Sequence, residues 1–295
     1  MGEYSRREFL KLGVGAAAAT ALAPLTLVSS GTSSLAPRPV VAITRVKRGR
    51  IGYAVEEAID LLGGVREVAG GKERIMLKPN LVAESPDFTT KPEVIRTLAR
   101  LMVDAGKDVS IGEGSAAAGG FNVMGGETYR TGNRELLDRM QTVVFDRLGY
   151  ADLAKTLGIQ LVNLHSGEMV EVPVPGGYAY NTLTLHRSLT ETDLLCSVPM
   201  MKTHVLATVT LGMKNLIGLY PGSVYQSVRS MVHEHAARAG SPGVAYEIVD
   251  MVRANRLGLV VVDGSMAMEG DGPTGGSLVK MGVIVAGTNP LATDM

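Results

Sequence analysis

Cysteine occurs once, at Cys196, so this chain alone can form neither an intramolecular disulfide nor a four-cysteine iron–sulfur site. Tryptophan is absent, aromatics make up 4 % of residues, and 29 Lys and Arg balance 29 Asp and Glu. A chain with no net charge and no basic stripe interleaved with stacking rings is not built to bind nucleic acid. The glycine-rich stretches Gly112-Glu113-Gly114-Ser115 and Gly119-Gly120 lack both a Walker lysine and a dinucleotide fingerprint. One further absence is local. From Leu194 to His233 there is no carboxylate, although Lys202, Lys214 and Arg229 lie in that span. Cations on an apolar segment without local counter-charges must meet an anion elsewhere or be desolvated at a cost. That anion is either a ligand or an acidic residue from a distant part of the chain.

At the N-terminus, Ser5-Arg6-Arg7-Glu8-Phe9-Leu10-Lys11 precedes the apolar run Leu12–Val28 and a small-residue stretch, Ser29–Ser34. The paired arginines and the order of the three regions match a twin-arginine export signal. Seventeen residues interrupted by Gly13, Gly15, Thr20 and Pro24 are short for a membrane span. The reading is a leader over residues 1–36 and a domain over 37–295, handled by the twin-arginine translocation machinery and placed in the periplasm or otherwise outside the cytoplasm. An uncleaved leader acting as a tether is the alternative, and no other stable span is expected. At the other end, Asn289 caps a helix that opens at Pro290 and stops at Met295. The expectation there is a C-terminally truncated domain.

Short apolar runs alternate with helical patterns along the rest of the chain. Strands are expected at 40–46, 74–77, 108–111, 159–164, 193–198, 257–262 and 280–286. Helices are expected at 53–62, 92–105, 134–148, 150–157, 225–238 and 244–254. Segments 169–174 and 182–186 read as an antiparallel pair around Pro175-Gly176-Gly177. This alternation predicts an α/β fold with a mainly parallel, doubly wound sheet and a small antiparallel insertion.

Ionisable residues follow four of these strands: Lys78-Pro79-Asn80, Gly112-Glu113-Gly114, Lys202-Thr203-His204 and Asp263-Gly264-Ser265. In open α/β sheets, ligands bind beyond the carboxyl ends of the strands, so these groups are expected along one edge. Lys78, Lys202 and Lys214 would neutralise a small anionic ligand, assisted by Asn80, Glu113 and Asn215. His204 would handle a proton, with Lys202 and Lys214 as further catalytic candidates. Asp263 would orient a lysine or, with Glu269 and Asp271, hold a hard divalent cation. His165 and His186 stand alone near strand ends and read as structural.

Several segments resemble one family. Lys78-Pro-Asn-Leu-Val82, Lys202-Thr-His204, Val209-Thr-Leu-Gly-Met-Lys-Asn-Leu-Ile-Gly218, Val262-Asp-Gly-Ser-Met-Ala-Met-Glu-Gly-Asp-Gly-Pro273 and Gly287-Thr-Asn-Pro-Leu-Ala-Thr-Asp294 look like the DUF362 motifs, in order. The resemblance covers residues 40–295 and marks Lys78, Asn80, Lys202, His204, Lys214, Asn215, Asp263 and Asp294. Some members carry a ferredoxin-like cysteine cluster that this chain does not. The resemblance brings no general biochemical function with it.

A more distant similarity joins His204, Lys214, Pro221-Gly222 and His233 to the order found in nickel-pincer lactate racemases. It implies a cofactor-tethering role for Lys214 and a metal-ligand role for His233. The departure is that the loop from Gly112 to Gly120 holds no histidine for a second acid or base. The expected function is therefore an exported protein binding an anionic ligand or metal-bound cofactor in a cleft. Enzyme, non-catalytic cofactor or maturation protein, and racemase-like isomerase are its three versions.

Overall fold

Strand alternation places the two halves of this fold on opposite faces of one sheet. The computed structural model describes residues 38–229 and 243–295; the leader, His233 and most of the expected helix 225–238 lie outside those residues. Residues Pro39–Met295 form one compact unit.

The strands run β1 (Val41–Arg45), β2 (Arg74–Pro79), β3 (Asp108–Glu113), β4 (Val123–Met124), β5 (Glu127–Thr128), β6 (Gln160–Asn163), β7 (Met169–Pro173), β8 (Thr182–His186), β9 (Leu194–Val198), β10 (Met200–His204), β11 (Thr208–Thr210), β12 (Leu257–Glu269), β13 (Ser277–Val279) and β14 (Val283–Gly287). The main sheet has the order β1-β14-β12-β9-β2-β3-β6. Its run from β12 to β6 is parallel throughout, and β14 is antiparallel to both of its neighbours. The expected mainly parallel α/β sheet is what forms, and β7 and β8 pair as the antiparallel insertion.

Parallel strands buried on both faces read as continuous apolar runs, and successive side chains serve different cores. Ile75, Leu77, Leu194 and Cys196 join a core with helices α1 (Ile51–Leu61), α2 (Pro92–Asp104), α3 (Arg134–Arg147) and α4 (Tyr150–Leu157). Met76 and Leu195 face the other way, into a core with Leu183, Leu185, Leu216 and Tyr220 and with Met251 of α5 (Val244–Ala254). In α2 the buried residues Val94, Ile95, Leu98, Ala99 and Met102 follow the helical stripe. Burying each Leu or Ile side chain contributes about 1.5–3 kcal/mol.

Two expectations change. The strand expected to end at Val262 continues to Glu269, so Asp263 lies within β12 rather than in a loop. Its first half pairs with β9 and β14, and its second half continues beside β10 and β13, so the ladder never breaks at Asp263. The helix expected from Tyr225 does not start there. A single turn at Gly222–Tyr225 ends at Gln226, whose φ of 62° leaves the helical region.

The chain moves outward from β2 through β3 to β6, then returns to lay β9 on the other side of β2. That reversal is the switch point at which α/β sheets leave a crevice beyond their strand ends. Among the described residues, no helix is long and apolar enough to cross a membrane.

Candidate functional site

At the switch point, Lys78 of β2 is 1 % exposed and carries its ammonium into a closed set of acceptors. Lys78 Nζ donates to Glu113 Oε2 at 2.7 Å, to the Pro79 carbonyl at 2.7 Å and to Asn215 Oδ1 at 3.1 Å. An ammonium has three donors, and these three acceptors match them. Glu113 Oε2 also accepts from the Leu81 amide, and Glu113 Oε1 accepts from the Gly114 amide. Asn215 Nδ2 donates to the Lys78 carbonyl and to Ser197 Oγ, both at 3.1 Å. Lys78, Glu113 and Asn215 are thus the satisfied, buried frame of the site, and their charges and amides are directed at one another.

Gly218 completes the frame by being small. A Cβ there would stand 2.4 Å from Glu113 Oε1 and 2.6 Å from Lys78 Nζ, so only glycine lets the turn at Lys214–Leu219 press onto the ion pair.

Beyond the frame lies a cavity of about 120 Å³, lined by Lys202, Lys214, His204 and Asn80 together with the frame residues. Lys202 is 3 % exposed. Its Nζ donates to the Phe88 carbonyl at 2.7 Å and lies 5.9 Å from the centre of the Phe88 ring. Among the described residues Lys202 makes no ion pair. Burial, then the neighbouring Lys214 ammonium, push its proton affinity down to about 7; Glu113 opposes and Lys78 adds to the fall.

His204 Nδ1 accepts from the amides of Leu206 and Ala207 at 3.1 and 3.3 Å. A ring nitrogen that accepts carries no proton, so the neutral ring bears its proton on Nε2. In this arrangement Nε2–H makes His204 a hydrogen-bond donor. Asn80 supplies the opposite kind of group: its Oδ1 is buried and has no hydrogen-bond partner among the described residues.

Asp263 stands apart from the cavity. Its Oδ2 accepts from the Lys91 amide at 2.9 Å, at the start of α2, and its Oδ1 accepts from Ser265 N and Oγ at 3.1 and 2.6 Å. Burial raises its proton affinity and the Ser265 and Lys91 hydrogen bonds oppose that rise. The expected lysine-orienting or metal-binding role gives way to a backbone clamp. Glu269, the last residue of β12, and Asp271, on the turn after it, are exposed. Among the described residues no three His, Cys, Asp or Glu side chains gather into a metal-binding group, so Asp263, Glu269 and Asp271 do not converge.

Asp294 lies outside the cavity as well. Its carboxylate accepts from the amides of Gly212 and Met213, immediately before Lys214. His165 is buried, with Nε2 at 2.7 Å from the Ser115 carbonyl and Nδ1 accepting from the Gly222 amide, a structural bridge between two loops. Two contributors went unnoticed in the sequence. Ser197 was legible as the one polar residue in the apolar run Leu194–Val198, whereas the Phe88 carbonyl carries no side-chain signal at all.

Comparison with known proteins is consistent with these motifs. Residues 75–295 match the family described as a domain of unknown function, DUF362, and residues 3–23 match the twin-arginine translocation pathway signal sequence. The chain belongs to the DUF362 family. Its leader directs export by the twin-arginine pathway. The thylakoid-associated protein sll1697 of Synechocystis sp. is 25 % identical over 249 residues, which are 83 % of this chain and 68 % of that protein. The lactate racemase apoprotein of Thermoanaerobacterium thermosaccharolyticum aligns with a TM-score of 0.48 at 13 % identity. That alignment covers 85 % of this chain and 54 % of the racemase, so the chain spans about half its length. At that level of likeness, nothing about ligands passes from the racemase to this DUF362 protein.

Proposed function

We propose that this exported DUF362 protein binds a compact anionic molecule in the cavity beyond β2, β3 and β9. The observation that carries the reading is Lys202: a buried ammonium with no carboxylate partner among the described residues, beside two further lysines, on the wall of a cavity. Glu113 is the acidic side chain on that wall, and it is bound to Lys78. An incoming carboxylate or phosphate would supply the missing counter-charge, and charge-assisted hydrogen bonds in such a site are about twice as strong as neutral ones.

Asn80 Oδ1 adds a requirement on the ligand. A buried acceptor without a partner favours an anion that also carries a hydroxyl or N–H donor. The cavity volume of about 120 Å³ suits a small molecule; pockets for drug-sized ligands are typically about 300–1,000 Å³. A nucleotide-sized cofactor tethered at Lys214 would lie largely outside about 120 Å³.

Native mass spectrometry of protein isolated from its own host tests the reading. A small acidic molecule released on denaturation and absent from the Lys202→Met variant is the expected result. A variant that retains the same molecule would refute Lys202 as its counter-charge.

A further inference from the structure

Lys202 combines three features that rarely occur together on one lysine. It is almost fully buried, its described hydrogen bond goes to a neutral carbonyl, and two of its three charged neighbours, Lys214 and Lys78, are cations. A lysine amine becomes a nucleophile when a pocket desolvates it or another cation stands beside it; here both conditions hold.

We propose that Lys202 condenses with the carbonyl carbon of a small anionic aldehyde or keto acid held in the cavity, forming an imine. The proposal rests on the anion-binding reading above, to which it adds a reaction and a substrate class. Lys202 Nζ attacks the carbonyl carbon, and a C–N bond forms as the carbonyl π pair moves to oxygen. The nitrogen gives up one proton, the oxygen takes one, and the product is a carbinolamine. Loss of the second amine proton and of the hydroxyl as water leaves the C=N bond, so one water is released and no oxidant or reductant is needed.

The cavity wall provides what these steps require. The Lys214 ammonium on the same wall offers charge for the substrate's carboxylate. Asn80 Oδ1, an acceptor without a partner, suits the carbinolamine hydroxyl. Nε2–H of His204 is a donor for the carbonyl oxygen as it gains electrons. Lys78 is the contrasting case. Its three donors are taken by Pro79, Glu113 and Asn215, so it has no free pair to attack with.

The depressed proton affinity of Lys202 supports the geometry. The charged groups facing it are Lys214, Lys78 and Glu113. At pH 7 its neutral fraction exceeds that of an ordinary lysine by about a thousandfold.

The test is reductive trapping. The full-length protein is incubated with glyoxylate and cyanoborohydride at pH 6–10, digested, and mapped by mass spectrometry, while glyoxylate binding is followed separately by calorimetry without reductant. The expected result is a carboxymethyl group on Lys202, about tenfold or more above that on Lys214 and on surface lysines, with a rate that levels off near pH 7. The Lys202→Arg variant, shown to be folded by its thermal melt, loses this adduct; the Lys107→Arg variant keeps it. Calorimetric binding without a Lys202 adduct overturns the imine and leaves anion binding standing. Absence of both overturns anion binding and the imine with it.

Discussion

Asp294 and Gly212, 82 residues apart in the sequence, are joined by a 2.7 Å hydrogen bond from the Gly212 amide to the Asp294 carboxylate. The other carboxylate oxygen takes the Met213 amide at 2.8 Å, so both oxygens fix the turn that delivers Lys214 to the cavity. Burial raises the Asp294 proton affinity and the two amides oppose that rise. Asp294 acts on the site through Lys214; it is a positioning residue.

Replacing Asp294 by Asn keeps one acceptor and removes the other. The expected loss is about 1–2 kcal/mol of stability, with weaker anion binding as Lys214 loses its fixed position. Urea denaturation together with calorimetric titration of phosphate reads both. Unchanged binding in a destabilised Asp294→Asn variant would confine the residue to folding.

The Lys78–Glu113 pair makes a larger demand. Both side chains are nearly inaccessible and 2.7 Å apart. Removing one partner leaves a buried charge uncompensated, which costs about 3–5 kcal/mol. Glu113→Gln is expected to lose stability in that range in a denaturant titration at neutral pH. A loss below about 1 kcal/mol, the scale of an exposed pair, would contradict the buried frame.

Gly218→Ala probes the same frame sterically. The added methyl would fall within 2.6 Å of both the Glu113 carboxylate and the Lys78 ammonium. Overpacking of this kind costs about 1–3 kcal/mol. A melt of the variant matching the parent would show that the turn at Lys214–Leu219 has room to move.

Stability should also depend on pH through Lys202. Its folded-state value, about 7, lies below the ordinary 10.5, so between those values the unfolded chain binds more protons. Stability from this group therefore rises as pH rises from about 7 to 10.5. The penalty is complete below that window and gone above it, with an upper bound of about 5 kcal/mol. Lys202→Met should stabilise the protein most at pH 6 and least near pH 10.5, read as the difference between denaturation curves of parent and variant. A difference independent of pH would contradict the buried ammonium.

The sheet was readable in advance because its cues are local. Apolar runs, and Asn289 before the helix that opens at Pro290, mark element types and ends without knowledge of what packs against them. Convergence of Lys78, Glu113, Lys202 and Lys214 followed from the rule about strand ends and holds because β3, β2, β9 and β12 are parallel neighbours. The partnerships of these groups were not readable. Nothing in the sequence says that Glu113 and Asn215 are consumed by Lys78, or that Asp263 turns toward the Lys91 amide. Such partnerships depend on long-range register, and a carboxylate beyond a strand looks the same whether it faces a ligand or a helix start. The Phe88 carbonyl that accepts from Lys202 is invisible for the same reason.

The central claim is that the cavity holds an anion against Lys202. Crystals soaked in bromide test this most directly, because the anomalous signal locates the halide without assumptions about its identity. A bromide peak is expected within about 3.5 Å of Lys202 Nζ, lost in crystals of Lys202→Met. Bromide at exposed lysines with none in the cavity would contradict it.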